Sequence, residues 1–555
     1  MTEASKDSVE RPATAAMQVL KALVEISPLV AGPLLFMTGT FRLVSAALPG
    51  LSDRLESLSR WVPLSVIEAS HLIGSVLGTL MLFVSVGVFR RLQGARPVAI
   101  VLLLFAAGFA WLHGSSLYES LYLLAIAFVF AVTRDAYWRK GRLSQFRPKP
   151  LAFGAIALAI ILAGGAGLLA YDKIPYTDDL WWRFLLEGDV SRFLRASVLV
   201  VIIAACLIVW LSLQPHRPEK SEQLTPSQIA ELFDQASVSR PITRLALTGD
   251  KRIFRSESGR SFLAFGVSGS AWIAMGGPVG DPAEFVDLVW QFRREADQNN
   301  AWVGLYSLEE GELGPVLEVG LDVRKIGETA TIHLDSFSMD GSARSGLRQS
   351  LRKGDKSGLV FEFVEAADET FDWDALKQVS DEWLLNHGGS EKQFSLGRFD
   401  PEYLGRTPLA LARLEGRIVA FVNLLADPVG KGLEVDLMRH AADAPPQTME
   451  WLFIKTAIWG SENGWRELDL GMAPLSGLNN RRYAPLMSRL GALIFAHADA
   501  FYGFEGLKQF KSKFKPDWRP VYLAAPSGTG AAKALLAVAL LTSGGWRAML
   551  SPKSA

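Results

Sequence analysis

Nearly every long apolar run in this chain lies before Trp210, and from Pro215 onward the composition is that of an ordinary globular protein. That division limits the possible folds more than any average does. A helix needs roughly 20 mainly apolar residues to cross a bilayer core. Six windows approach that length: Pro28 to Leu48, Leu64 to Phe89, Pro97 to Leu112, Leu117 to Val132, Leu151 to Ala170 and Ala196 to Leu213. Arg42 interrupts the first. The third and fourth are short enough to form a tilted hairpin about His113-Gly114-Ser115-Ser116. The expected class is multi-domain: an N-terminal α-helical transmembrane bundle of about six spans over residues 1–215, then an α/β part. No cleavable signal peptide is expected, because Met1 to Lys21 is polar and lacks a compact basic start and a small-residue cleavage site.

Basic residues orient the bundle. Arg90, Arg91 and Arg96 follow the second window; Arg134, Arg139, Lys140, Arg142, Arg147 and Lys149 follow the fourth; His216, Arg217 and Lys220 follow the sixth. The intervening loops are balanced or acidic, with Asp53, Arg54, Glu56 and Arg60 in one and Asp172, Lys173, Asp178, Asp179, Glu187 and Asp189 in the other. Positive loops stay in the cytosol, so both termini and the globular half are expected there. Arg42, Glu68, His71 and Arg195 sit in or near the apolar windows, where charge is costly. Two readings stand. Either the arginines reach to an interface and Glu68 and His71 satisfy each other one turn apart, or these groups line a polar cleft that admits a lipid headgroup.

The globular half alternates strands and helices. Ser261 to Val267 and Ser270 to Met275 form a predicted hairpin about Ser268-Gly269. Pro282 to Asn299 has helical spacing, with Phe285, Leu288, Val289 and Phe292 on one face. Trp302 to Ser307 and Leu359 to Glu365 are predicted strands, and Asp372 to Asn386 a helix. The scheme then repeats, with strands at Leu409 to Leu414, Ile418 to Ala426 and Leu433 to Arg439, a helix at Met449 to Asn463 and a strand at Glu467 to Gly471. Two successive units of hairpin, helix and strand predict a tandem α/β duplication. Ala531 to Leu541 is apolar but short for a span; it is expected to pack on the domain or lie on a membrane surface.

Several strings then carry a resemblance. They are Glu382-Trp383-Leu384, Glu391-Lys392-Gln393-Phe394-Ser395-Leu396-Gly397-Arg398-Phe399-Asp400, Val435-Asp436-Leu437-Met438-Arg439, Leu468-Asp469-Leu470-Gly471-Met472-Ala473-Pro474-Leu475-Ser476-Gly477, Phe501-Tyr502-Gly503-Phe504-Glu505-Gly506-Leu507 and Phe510-Lys511-Ser512-Lys513-Phe514-Lys515-Pro516-Asp517-Trp518. In this order and spacing the chain resembles the aminoacyl-phosphatidylglycerol synthases, the multiple peptide resistance factor family. The likeness extends upstream through Ser345-Gly346-Leu347-Arg348. It implies two acetyltransferase-like (GNAT) units, at 216–370 and 371–530, with 531–555 as a C-terminal helix and tail. It implies transfer of a lysyl or alanyl group from aminoacyl-tRNA to phosphatidylglycerol at a bacterial inner membrane. Lower negative membrane charge and resistance to cationic antimicrobial peptides would follow. Long members carry further N-terminal spans that flip the product; with about six windows, synthesis without flipping is the expectation here. Self-association is left open.

Transfer of an acyl group between two hydroxyls is close to isoenergetic, so no ATP loop is required, and none is found. No cofactor or metal is expected. The lone Cys206 sits in an apolar run, and neither His387 nor His440 has metal-ligand spacing. The reaction needs a held amino acid, a proton relay and positive charge near phosphate and oxyanion. Asp436 suits an α-ammonium. On a strand Glu434, Asp436 and Met438 share one face, with Arg439 on the other or past the strand end; a strand-end salt bridge to Arg439 is the plain alternative. Asp436, Arg439, Lys511 and Lys513 are the expected catalytic set. Glu434, Arg348, Lys508, Tyr502, Met472 and Ser476 are the expected substrate contacts. Lysines 508, 511, 513 and 515 interleave with Phe510 and Phe514, as phosphate binding favours, or else form a solvated face. Arg344, Arg348 and Arg352 would align on a helix as a second basic row, for lipid or the tRNA acceptor stem. An acetyl-CoA enzyme would need a glycine-rich pyrophosphate loop, and Arg413 to Ile418 fails that pattern. A non-enzymatic lipid transporter and a hydrolase of aminoacylated lipid are the remaining rivals.

Overall fold

A computed structural model describes residues 11–47, 64–112, 117–139, 150–170, 223–299, 301–365, 370–386, 391–478 and 504–545, with a few more between 197 and 207. The chain divides into two compact units, one of Met1–Arg217 with Asp297–Asn300, the other of Pro218–Ala296 and Ala301–Ala555.

The first unit is helical: α1 (Arg11–Ala47), α2 (Leu64–Phe89), α3 (Ala95–Leu112), α4 (Leu117–Val132) and α5 (Pro150–Ala170). These coincide with five of the six predicted windows; the sixth falls mostly outside the described residues. Among the described residues one stretch, Val24–Ser45, is long and apolar enough to cross a membrane, while Ile73–Phe89, Ala95–Ala110, Tyr118–Val132 and Leu151–Ala166 are shorter. Glycines let α1 and α2 cross closely. A Cβ on Gly39 would lie 2.8 Å from the Gly78 carbonyl, and one on Gly78 2.9 Å from that of Gly39. Small residues at such a crossing allow backbone-to-backbone packing. Arg42 does not reach outward as one reading had it. Its guanidinium pairs with Glu119 at 3.2 Å and donates to the Ala106 carbonyl at 3.1 Å. The side chains of Glu68, His71 and Arg195 lie outside the described residues, as does His387.

The second unit is built on one 11-stranded sheet. Its strands are β1 (Arg252–Arg255), β2 (Phe262–Ser268), β3 (Ala271–Met275), β4 (Trp302–Leu308), β5 (Asp322–His333), β6 (Leu359–Val364), β7 (Leu409–Leu414), β8 (Arg417–Asp427), β9 (Gly432–His440), β10 (Glu467–Pro474) and β11 (Asp517–Ala525). The helices are α6 (Pro226–Asp234), α7 (Phe285–Gln298), α8 (Leu313–Glu318), α9 (Ser345–Lys356), α10 (Trp373–Asn386), α11 (Pro401–Leu404), α12 (Thr448–Glu462), α13 (Phe504–Ser512) and α14 (Gly530–Ser543). Each half holds one parallel pair joined by a crossover helix: β3–α7–β4 and β9–α12–β10. The predicted duplication of an α/β unit is therefore present.

The spatial order is β1-β2-β3-β4-β11-β5-β10-β9-β8-β7-β6. The last strand of each half is exchanged. β5 pairs with β10 of the second half, and β11 pairs with β4 of the first. The two exchanged strands pair with each other along nine residues, from Asp517↔Thr331 to Ala525↔Asp322. Alternation along each strand feeds two cores. Phe262 and Ala264 of β2 join one with α6, α10 and α14, and Leu263 and Phe265 join the other with α7. Around α12, Trp451, Leu452, Phe453 and Ile454 extend that second layer over β7, β8 and β10. The apolar helix α14 packs on the domain, burying Ala534, Ala537 and Val538.

Candidate active site where two strands part

The β9 strand alternates less regularly than its sequence predicts. Leu433 and Val435 pack with α12, whereas Leu437 packs with α10, because the β8–β9 register shifts between Val435 and Met438. Glu434, Asp436 and Arg439 therefore share the α10 face, and Met438 lies on the other. The strand runs parallel to β10 only through Gly432↔Glu467, Leu433↔Leu468 and Glu434↔Asp469. Beyond that pair β10 carries an irregularity between Asp469 and Met472, and Gly471 takes φ +85. A left-handed residue costs glycine nothing, and the bulge turns β10 away from its neighbour.

Lys511 of α13 enters this gap. It is 4% exposed, and its Nζ donates to the carbonyls of Gly471 (2.8 Å) and Met472 (3.0 Å). Burial pushes its pKa down to about 8, against the pull of Asp469 and Glu434. Asp469 is tied to the sheet, accepting from Thr329 Oγ1 (2.5 Å), Thr331 Oγ1 (3.2 Å) and the Gly471 N–H (2.6 Å). Burial and the neighbouring carboxylate of Asp469 hold Glu434 well above the ordinary carboxylate range, with Glu309 and Asp436 adding to this and Arg240 opposing it.

Asp436 lies two residues along the same face. Its Oδ1 accepts from the Gly397 N–H (2.6 Å); its Oδ2 accepts from Tyr403 Oη (2.7 Å) and Asn423 Nδ2 (3.2 Å). Asn423 is oriented in turn, its Oδ1 accepting the Leu437 N–H at 2.7 Å. Burial raises the Asp436 pKa, and its three donors oppose that. A carboxylate offers about four acceptor positions, so three donors leave room for one more. Gly397 fits because it has no side chain: a Cβ there would lie 1.8 Å from Asp436 Oδ2. Gly397→Ala is expected to displace this loop and destabilise the unit by about 1–3 kcal/mol, the usual cost of overpacking. A thermal melt alongside the parent chain checks it.

The expected Asp436–Arg439 pair does not form: Arg439 stands on the same face, but Glu391 and Ser380 engage its guanidinium. Arg439 is 3% exposed and grips Glu391 with two bonds (2.8 and 2.7 Å), with Ser380 Oγ as a further partner. Glu391 also accepts the Phe399 N–H at 3.2 Å, so Arg439 secures the loop that covers Asp436. Lys513 points away from Lys511 and pairs with Glu450 of α12 at 2.6 Å. Arg348 is committed to the carbonyls of Met339 (2.5 Å) and Gly341 (2.7 Å), and Arg344 to that of Phe514 (2.6 Å). The row predicted on one helix is not complete, since Arg344 precedes α9 as its N-cap, and both arginines brace loops. Ser476 and Lys508 meet at Glu328 of β5, at 2.9 and 3.4 Å, and Lys508 also lies over the Trp518 ring. Met472 contributes its carbonyl to Lys511. Tyr502 lies outside the described residues.

Sequence reasoning missed Tyr403, Asn423, Gly397 and Asp469 as site residues. Gly397 and Asp469 stood inside the motif strings, unassigned. Tyr403 and Asn423 carry no local signal, since only the sheet brings them to Asp436.

The family model for the C-terminal part of phosphatidylglycerol lysyltransferase matches residues 230–525. The phosphatidylglycerol lysyltransferase of Bacillus subtilis (strain 168) is 28% identical over 497 residues, covering 88% of this chain and 57% of that protein. The one from Staphylococcus haemolyticus is 29% identical over 453 residues, covering 80% and 52%. The chain thus spans about half the length of the curated relatives it matches. Two solved structures align over more than half of this chain. One, the C-terminal domain assigned to a lysylphosphatidylglycerol synthetase of Agrobacterium fabrum, is 40% identical with a TM-score of 0.51, covering 57% of this chain and 99% of that one. The other, L-PGS of Bacillus licheniformis, is 31% identical with a TM-score of 0.52, covering 58% and 99%. The bulged strand, the buried lysine and the covered aspartate therefore sit in a chain that belongs to the phosphatidylglycerol lysyltransferase family, matched through its C-terminal domain.

Proposed function

We propose that the chain moves a lysyl or alanyl group from aminoacyl-tRNA to a headgroup hydroxyl of phosphatidylglycerol. The N-terminal helices are read as a bundle of about six spans in a bacterial inner membrane, with the catalytic unit in the cytosol. One observation carries the reading: a lysine able to be neutral near physiological pH and a carboxylate with one acceptor position left lie along the same strand gap.

The chemistry follows from these groups. Asp436 takes the α-ammonium of the aminoacyl ester. The lipid hydroxyl oxygen attacks the ester carbonyl, the bond to the ribose oxygen breaks, and the ribose leaves as a free hydroxyl. The proton lost by the lipid passes through Lys511 to the ribose oxygen. A neutral Lys511 still donates to the Gly471 and Met472 carbonyls, which fixes the direction of its lone pair. Adding an ammonium to the anionic phosphatidylglycerol headgroup lowers the negative charge of the membrane. Weaker attraction of cationic peptides is the consequence.

The test is expression in a host lacking aminoacylated lipids, with lipid extracts read by mass spectrometry. A new aminoacyl-phosphatidylglycerol is expected, and its added mass names the amino acid. Protein present in membranes with no such lipid overturns the reading.

A further inference from the structure

Lys251 has no exposed surface at all. It lies between the 3-10 helix Pro241–Thr248 and β1, in the first half of the sheet. Its Nζ donates to the Leu245 carbonyl (2.7 Å), Thr248 Oγ1 (3.1 Å) and Asp250 Oδ1 (2.7 Å). A buried ammonium with three acceptors is fully satisfied. If both oxygens of Asp250 stayed in this knot, the pair would serve stability alone.

One oxygen leaves it. Asp250 Oδ2 accepts the N–H of Phe394 at 2.7 Å, across 144 residues of sequence. Phe394 has φ +60, a conformation that bulky L-residues rarely adopt. Such strain persists only where surrounding contacts fix it. The ring supplies another contact: it lies against Gly266 of β2, where a Cβ would come within 3.0 Å, and 5.7 Å from Lys251 Nζ. Three residues later Gly397 places its N–H on Asp436. A continuous path thus runs from a buried pair in one half of the sheet, through a strained backbone, to the carboxylate in the other half.

We propose that Asp250 is a positioning residue for aminoacyl transfer: its carboxylate holds Phe394 in the left-handed conformation that delivers the Gly397 N–H to Asp436. This rests on the reading of Asp436 as the acceptor of the aminoacyl ammonium. With Asp250 removed, the loop relaxes, Asp436 turns, and the ester carbonyl is held out of line with the lipid hydroxyl. Misplacement of about an ångström costs on the order of a hundredfold in rate. Charged tRNA is expected to gain most of its affinity through its phosphates, so its KM should stay nearly constant.

The experiment uses the full chain in phosphatidylglycerol vesicles with charged tRNA. All variants carry Lys251→Met, so that no ammonium is stranded. Asp250→Asn keeps an acceptor for the Phe394 N–H, and Asp250→Ala removes it. The asparagine variant is expected to exceed the alanine variant about ten- to a hundredfold in kcat, with KM within about threefold. Asp250→Gln displaces the amide by one methylene without leaving a cavity, and is expected to behave as alanine does, which covers the case of an alanine variant that does not accumulate. Equal kcat in the asparagine variant and in either of the others, or a loss confined to KM, overturns the positioning role. Asp436→Ala is run in parallel. Activity retained there removes the reading of Asp436 itself; activity lost there, with the Asp250 variants alike, removes only the present proposal.

Discussion

Asp436→Ala is expected to abolish aminoacyl-phosphatidylglycerol in lipid extracts, a loss of at least about a hundredfold, with the chain still present in membranes. The magnitude follows from what the carboxylate does. In the proposed reaction it orients the substrate ammonium, and positioning of this kind is worth several powers of ten. The alanine variant also leaves the buried Tyr403 hydroxyl without its acceptor at 2.7 Å, at a stability cost of about 1–3 kcal/mol. Asp436→Asn separates the two effects. An amide nearly preserves the shape and can still accept from Tyr403, but carries no charge to hold an ammonium. Both variants should be inactive, with the asparagine chain melting closer to the parent. An active asparagine variant would falsify the ammonium site.

The second large effect concerns Lys511. Burial lowers its pKa to about 8, so its neutral, proton-accepting form grows as pH rises toward that value and is complete above it. Initial rates of transfer, corrected for spontaneous ester hydrolysis, are therefore expected to climb with pH, reach half their limit near 8 and flatten above it. The groups facing the ammonium are Asp469 and Glu434, and both raise its pKa; Asp469→Asn should accordingly shift the limb to lower pH. Lys511→Arg keeps the charge and the carbonyl contacts but cannot lose a proton. It is expected to cost about a hundredfold or more, within the usual range for a proton-transfer group, and to erase the limb. A rate that is flat with pH in the parent chain would remove Lys511 from the proton path.

Most of the elements were legible from local pattern. The β2–β3 hairpin, α7, α10, α12 and strands β6 to β10 fall within a few residues of where periodicity puts them. The strands that escaped are β1, β5 and β11, and the last two form the centre of the sheet. The reasons are physical. β11 contains Pro520, which argues against a central strand and is tolerated here beside the irregularity between Val521 and Tyr522. β5 begins with Asp322, Arg324 and Lys325, and its Thr329 and Thr331 serve Asp469 rather than a core. Its polarity is the signature of a strand that lines a site. The candidate site was half legible for the same reason. Asp436, Gly397 and Lys511 lie in motif strings and Glu434 stands just before one, whereas Tyr403 and Asn423, which also fix Asp436, come from α11 and β8. Arg439 shared the Asp436 motif, and only the register of β9 shows that it braces the covering loop.

The exchange of β5 and β11 also sets the timing of maturation. β4 ends at Leu308 and its neighbour opposite is Tyr522, so a long stretch of chain must be made before that edge is closed. At about 5–20 residues per second the wait is on the order of ten seconds or more. Pairings this distant in sequence raise contact order and slow the final closure. The late segment is also the one that brings Lys511, on α13 just before β11, into the gap between β9 and β10. Vectorial synthesis therefore assembles the scaffold first and delivers Lys511 last. The gap between β9 and β10 would stand without its buried lysine until that closing strand arrives.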